Sequence, residues 1–208
     1  KIKVIYQTCH QNFKKKYSTE ILQHIKNKFS LPDEFMLNVG TIETRKNLIA
    51  IINAMTKMKH DIPLVVIGRK TKYMNFIKVQ LNKLKFDPTK IIFLNGVSIE
   101  ELPGIYQLSS LFVYPSIFEG FGIPILEALN SGIPTITSKD GCFKEAGGEH
   151  SIYIDPLNDE ELANKIDYCL SNTNLRKEMI TNGHIHARKF EPEIISNQLI
   201  NAYSELLQ

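Results

Sequence analysis

LFVYPSIFEGFGIPILEALNSGIPTITS, residues 111 to 138, is the stretch from which the rest of this chain can be read. Leu111 to Tyr114 has the apolar character of a buried strand. A glycine-broken loop carrying a glutamate follows at Ser116 to Gly122, then a short helix opened by Pro124, then a second strand at Pro134 to Thr137. Proline at the first helical position loses no needed hydrogen bond, because that N–H has no partner within the helix. The loop therefore feeds straight into a helix N-terminus, whose free N–H groups and positive dipole end attract an anion such as phosphate. Glu119 in the loop and Glu127 in the first turns of the helix flank that point. A carboxylate accepts hydrogen bonds from a pair of vicinal hydroxyls. Donors for phosphate and acceptors for sugar hydroxyls thus fall within nine residues, the mixture a nucleotide-sugar requires.

Outward from this stretch, short apolar runs alternate with helical patterns. Strands are expected at Phe35 to Val39, Pro63 to Ile67, Ile91 to Leu94, Leu111 to Tyr114, Pro134 to Thr137 and Ile152 to Ile154. Each is nearly all apolar, as in a parallel sheet covered on both faces. Helices are expected at Asn47 to Lys59, Tyr73 to Lys85, Ser98 to Ser109 and Pro124 to Ser131, with a short turn at Phe143 to Ala146. The last third reads as helical, at Asp159 to Leu170, Thr173 to Lys189 and Glu191 to Leu207, with Asp159 and Asn172 or Thr173 as caps. The fold class is α/β: a Rossmann-like, doubly wound parallel sheet of six strands with a helical C-terminal tail, where ligands sit at the carboxyl ends of the strands.

At the other end, Ile2 to Tyr6 reads as a short strand, Gln11 to Tyr17 as a lysine-rich linker, and Ser18 or Thr19 onward as a helix ending before Pro32. The opening lacks both a signal-peptide pattern and a Met, so a fragment of a longer polypeptide is expected. With 208 residues, 43% of them hydrophobic, one domain with a sizeable core is the simplest reading. No run approaches the roughly 20 apolar residues of a membrane span. Cys9, Cys142 and Cys169 have neither paired nor metal-ligand spacing, and neither DxD nor a histidine pair at ligand spacing occurs, so no essential metal is expected. A reducing, cytoplasmic setting is expected. The net charge of +3 suits an anionic substrate or a lipid headgroup surface, which extends that setting to peripheral membrane association. The aromatics sit in strands and helices, leaving no basic-aromatic stretch for nucleic acid. Absence of GxGxxG argues against a hydride-transferring dehydrogenase, and absence of GxxxxGK[ST] against a P-loop NTPase.

Glu119-Gly-Phe-Gly-Ile-Pro-Ile-Leu-Glu127-Ala-Leu-Asn-Ser-Gly-Ile-Pro134 resembles the E-x7-E motif of the retaining family 4 glycosyltransferases, which have the two-domain GT-B fold. Two glutamates eight apart would mean little without the P-S-x-x-E-G-F-G-x-P frame around them. The resemblance implies that residues 34 to 208 are the C-terminal, donor-binding domain and 1 to 33 the interdomain linker, the N-terminal acceptor domain being absent. It also implies transfer of a hexose from a nucleoside-diphosphate sugar, of GDP or UDP type, to the hydroxyl of a glycan or lipid-linked glycan, with no separate cofactor.

By the same resemblance Glu119 meets donor hydroxyls, the amides of Gly120, Phe121, Gly122 and Ile123 hold sugar and phosphate, and Glu127 accepts from the ribose; Ser116 belongs to the same loop. In Gly40-Thr41-Ile42-Glu43-Thr44-Arg45-Lys46, Lys46 matches the family lysine that faces the diphosphate and Arg45 its helper. Thr41 stands where many relatives carry arginine. Val97 would meet the nucleobase through its main chain. From the residues alone, Ser98 and Glu101 form a capping box, Phe118 and Phe121 are expected to pack, and His184 and His186 to lie at the surface. The G-T-I-E-x-R-K-N-L wording is similar to mannosyltransferases of polysaccharide assembly, implying GDP-mannose. The alternatives kept are a nucleotide-binding or regulatory module without transfer, and a GT-B phosphorylase or epimerase-type relative.

Overall fold

The computed structural model describes residues 2 to 207; Lys1 and Gln208, the ends of the two expected segments, lie outside them. Six parallel strands form one sheet: β1 (Met36–Val39), β2 (Leu64–Ile67), β3 (Ile91–Leu94), β4 (Leu111–Tyr114), β5 (Thr135–Ser138) and β6 (Ile152–Ile154). Their spatial order is β3-β2-β1-β4-β5-β6, so the chain winds outward one way from β1 and then the other way from β4. All six expected strands are present, shifted by one residue at most at either end.

Strand side chains alternate between two apolar layers, as the period of two demands. Leu37, Val65, Phe112 and Tyr114 face one layer, while Met36, Leu64, Val66, Leu111 and Val113 face the other. Burial on both sides is why the strands read as unbroken apolar runs. Helices α2 (Leu48–Met55), α3 (Tyr73–Lys83) and α7 (Asp159–Ser171) cover one face through Ile51, Ile77 and Ile166. The other is covered by α1 (Thr19–Lys28), α4 (Leu102–Leu108), α5 (Ile123–Ser131) and α6 (Phe143–Gly147), through Ile25, Tyr106, Leu126 and Phe143. The tail continues as α8 (Thr173–Ala187), a 3-10 turn at Arg188–Phe190 and α9 (Pro192–Leu206). Among the described residues no helix is long and apolar enough to cross a membrane.

Several expectations are corrected. Ile2 to Tyr6 is not a strand: Ile2 is 97% exposed, and the segment runs past the sheet, with the Tyr6 ring stacked on Phe121 at 5.2 Å and edge-on to Phe190 at 5.4 Å. Its polar neighbours leave it without the second apolar face a sheet strand needs. The lysine-rich passage holds a 3-10 turn, Gln11–Lys14, whose Phe13 is fully buried. Together with Ile25 and Leu31 it packs into the apolar core. α4 is shorter than expected, because the Ser98–Glu101 capping box spans a turn before it: Ser98 Oγ accepts from Glu101 N at 3.3 Å and Glu101 Oε2 from Ser98 N at 3.2 Å. α7 is capped by Asn158, not Asp159, with Oδ1 accepting from Glu161 N at 3.0 Å; Asn172 caps α8 as expected.

Candidate functional site

A doubly wound sheet leaves a crevice where its strand order reverses, between the carboxyl ends of the two strands from which winding departs. Here these are β1 and β4. The loop leaving β1 is Gly40 to Asn47 and the loop leaving β4 is Pro115 to Gly122. The expected cations and the first expected carboxylate therefore arise on opposite lips of one crevice.

The lips are tied together by hydrogen bonds to backbone carbonyls. Asn47, buried and in the left-handed region (φ 55°), donates from Nδ2 to the carbonyls of Pro115 at 3.2 Å and Pro156 at 2.7 Å. Ile117 N donates to Arg45 O at 2.8 Å. Ser116 Oγ sits 2.9 Å from the same carbonyl and 2.6 Å from Glu119 Oε1. Gly40, at φ 148°, occupies a region that side chains avoid, and a Cβ there would lie 3.4 Å from Lys46 Cε. Its bareness leaves the passage through which the lysine stem runs.

Lys46 Nζ donates to Glu119 Oε1 at 2.6 Å and to Tyr114 Oη at 2.5 Å, and Tyr114 Oη donates to the same carboxylate oxygen at 2.9 Å. Arg45 Nη1 approaches it at 2.9 Å, with Nε 2.9 Å from Glu43. The Lys46 and Glu119 side chains are only 11% and 9% exposed, whereas Arg45 is 45% exposed at the rim. Every contact that the Glu119 carboxylate makes falls on Oε1, which leaves Oε2 unengaged among the described residues. Burial alone would raise the Glu119 carboxyl, but the bonds from Lys46, Ser116 and Tyr114 and the lysine charge hold it below its usual 4.5. Burial first, then Glu119, push the Tyr114 phenol well above 10, so it stays a donor.

A depressed carboxyl contributes stability that is present above its unfolded value and lost as pH falls through the folded one. Glu119→Gln is accordingly expected to be less stable than the parent at neutral pH and to approach it below about pH 4, under the ordinary carboxylate value. Urea unfolding midpoints at the two pH values check this; a gap that does not narrow contradicts it.

Beside this cluster α5 begins. Its cap, Gly122, has φ 104° and offers no side chain, and the Phe121, Gly122 and Ile123 amides donate to no group among the described residues, whereas Pro124 has no N–H and Ile125 N donates to Gly122 O at 2.9 Å. Pro124 lies at the second helical position, since Ile123 already belongs to the helix. A cavity of about 490 Å³ opens against these amides, lined by Glu119, Gly120 to Pro124, Glu145, Tyr6 and neighbouring residues of the N-terminal segment. Glu127, one turn into α5, is half-buried, and its Oε2 accepts from Tyr106 Oη at 2.9 Å.

Gly40, Arg45, Lys46, Ser116, Glu119 and the Gly120–Ile123 backbone are thus brought together around the crevice. Thr41 makes no side-chain hydrogen bond among the described residues, and Val97 is partly buried against one apolar layer with no bond to the Lys46–Glu119 cluster. Phe121 packs as expected, but Phe118 is 71% exposed, because the loop lifts it off the sheet. His184 and His186 are half-buried rather than at the surface: His184 lies against Gly132, and His186 Nε2 is 2.9 Å from Glu145 O. Tyr114 and Asn47 were missed as site residues. A tyrosine ending an apolar strand signals core, and an asparagine opening a helix signals a cap.

A family model described as glycosyl transferases group 1 matches residues 20 to 186. The chain belongs to the group 1 glycosyl transferases. Among members of this family, the O-antigen chain mannosyltransferase B of Escherichia coli is 32% identical over 178 residues, covering 83% of this chain and 46% of its own. The serotype-specific mannosyltransferase WbdA of the same organism is 28% identical over 197 residues, 92% of this chain but 24% of its own. The chain thus spans less than half the length of these relatives. Among solved structures, Alr3699/HepE of Anabaena in complex with UDP-glucose superposes with a TM-score of 0.86 at 21% identity, over 98% of this chain and 57% of its own. The likeness extends across the whole doubly wound sheet.

Proposed function

We propose that this group 1 glycosyl transferase chain is the C-terminal, donor-binding domain of a retaining hexosyltransferase. Residues 34 to 208 would hold a nucleoside-diphosphate hexose, 1 to 33 would lead in from an N-terminal acceptor domain, and the acceptor would be a glycan or lipid-linked glycan at the cytoplasmic membrane surface. The observation that carries this reading is the meeting, at the switch-point crevice, of a largely buried lysine and carboxylate with the unbonded amides of Phe121, Gly122 and Ile123 at the start of α5.

The chemistry fits the leaving group. When the bond from the anomeric carbon to the diphosphate breaks, negative charge grows on the phosphate oxygens. Lys46, Arg45 and the amides of Phe121, Gly122 and Ile123 offset that charge from fixed positions. Glu119, anchored through Oε1, presents Oε2 to a hexose hydroxyl, and Glu127 accepts from the ribose. Gly120 keeps the approach open, and Gly40, Thr41, Val97 and Ser116 complete the donor wall, with Val97 toward the base. The acceptor hydroxyl forms the new bond, losing its proton to a group outside this domain. The names of the Escherichia coli relatives favour mannose, and with it GDP, as the donor.

The test is a calorimetric titration with GDP, UDP, their monophosphates and their hexose conjugates. One diphosphate should bind, its monophosphate more weakly, and its hexose conjugate at least as well. Equal binding of mono- and diphosphate would overturn the assignment of the cations. A non-catalytic module would bind donor equally well, but would still transfer nothing once joined to an acceptor domain.

A further inference from the structure

Tyr106, like Tyr114, carries a core-packed ring whose hydroxyl reaches a glutamate, but here no cation shares the carboxylate. It is fully buried in α4, with its ring edge-on to Phe13 at 5.4 Å and tilted against Phe112 at 5.3 Å, so packing on two sides fixes the phenol. Its hydroxyl emerges under Glu127 and donates to Oε2 at 2.9 Å. Glu127 takes part in no ion pair among the described residues, and Oε1 is neither bonded nor sealed from solvent. The titratable groups facing this carboxylate are Tyr106 from α4, Tyr114 from β4 and Cys9 from the N-terminal segment, with Lys14 beyond Cys9.

We infer that Tyr106 is a positioning residue for nucleotide binding: its hydroxyl clamps one oxygen of Glu127 and leaves the other free for the vicinal hydroxyls of the ribose. This rests on the donor-site reading above and adds to it a residue that touches no ligand. The physical need is plain. A carboxylate withdrawn from water without a cation is raised by that burial, and a neutral carboxyl is a poorer acceptor. The single bond from Tyr106 opposes the rise. It also removes the rotation that would otherwise have to be frozen when ribose binds.

Tyr106→Phe keeps the ring and its packing and deletes only the donor. Binding of the preferred nucleoside diphosphate at about pH 7.5 should weaken roughly three- to tenfold, the range for one lost hydrogen bond. Binding of the matching 2′,3′-dideoxy diphosphate, which offers Glu127 nothing, should be the same for parent and variant. As pH falls, affinity for the ribonucleotide should fail at a higher pH in the variant, because its Glu127 protonates sooner. Carbon-detected NMR of labelled glutamate, in the nucleotide-free protein, should show the Glu127 carboxyl titrating at higher pH in Tyr106→Phe. An equal penalty on both nucleotides would mean a merely structural role and overturn the inference, as would an unmoved Glu127 titration. Failure of the parent to bind any nucleoside diphosphate would instead overturn the donor-site reading, and this inference with it.

Discussion

Lys46→Ala is expected to weaken nucleoside-diphosphate binding about ten- to hundredfold, while the monophosphate loses far less. A hydrogen bond to a charged group contributes roughly 1.5 to 3 kcal/mol, which sets that range. The lysine is 11% exposed and aimed by Tyr114 and Glu119, so a diphosphate would meet a cation already desolvated and oriented. Arg45 cannot replace it: its guanidinium is at the rim, shared between Glu43 and Glu119. The contrast between the two nucleotides carries the argument, because general damage to the crevice would weaken both alike. Calorimetry on parent and variant checks it, and an equal loss for both would contradict it.

Phe13→Ala should destabilise the fold by about 3 to 5 kcal/mol, the usual range for removing a fully buried phenylalanine. For a chain of this size the melting temperature should fall by about 6 to 20 °C. Phe13 is 0% exposed and packs edge-on against Tyr106. Were the first 33 residues only a tether, the substitution would cost almost nothing. Phe118→Ala, at a side chain 71% exposed, is the control and should stay within about 0.5 kcal/mol. Thermal unfolding of the three proteins decides whether the N-terminal segment is part of the folding unit.

The layered α/β fold was legible because each strand is buried on both faces, and apolar runs such as Leu64–Ile67 and Leu111–Tyr114 stand out against polar loops. Strand order was not, since the pairing of β1 with β4 depends on contacts between segments about 75 residues apart. The site was legible where glycines and charges cluster, at Gly40 to Lys46 and Glu119 to Glu127. It was opaque where a residue serves core and site at once. Tyr114 reads as core and Tyr106 as one more helix residue; both pack in the core, but each also extends a hydroxyl to one of the two glutamates. Phe13 was hidden by the polar and lysine neighbours that keep its turn in solvent.

The central claim is that the crevice between β1 and β4 holds the donor diphosphate. Amide chemical-shift mapping tests it most directly: labelled protein is titrated with GDP and with UDP, and the perturbed residues are located. The largest shifts should fall on Gly120 to Ile123 and Gly40 to Asn47, with smaller ones at Glu127 and Val97, all saturating with one affinity. Saturable shifts confined to another face of the molecule, or none with either nucleotide, would contradict it.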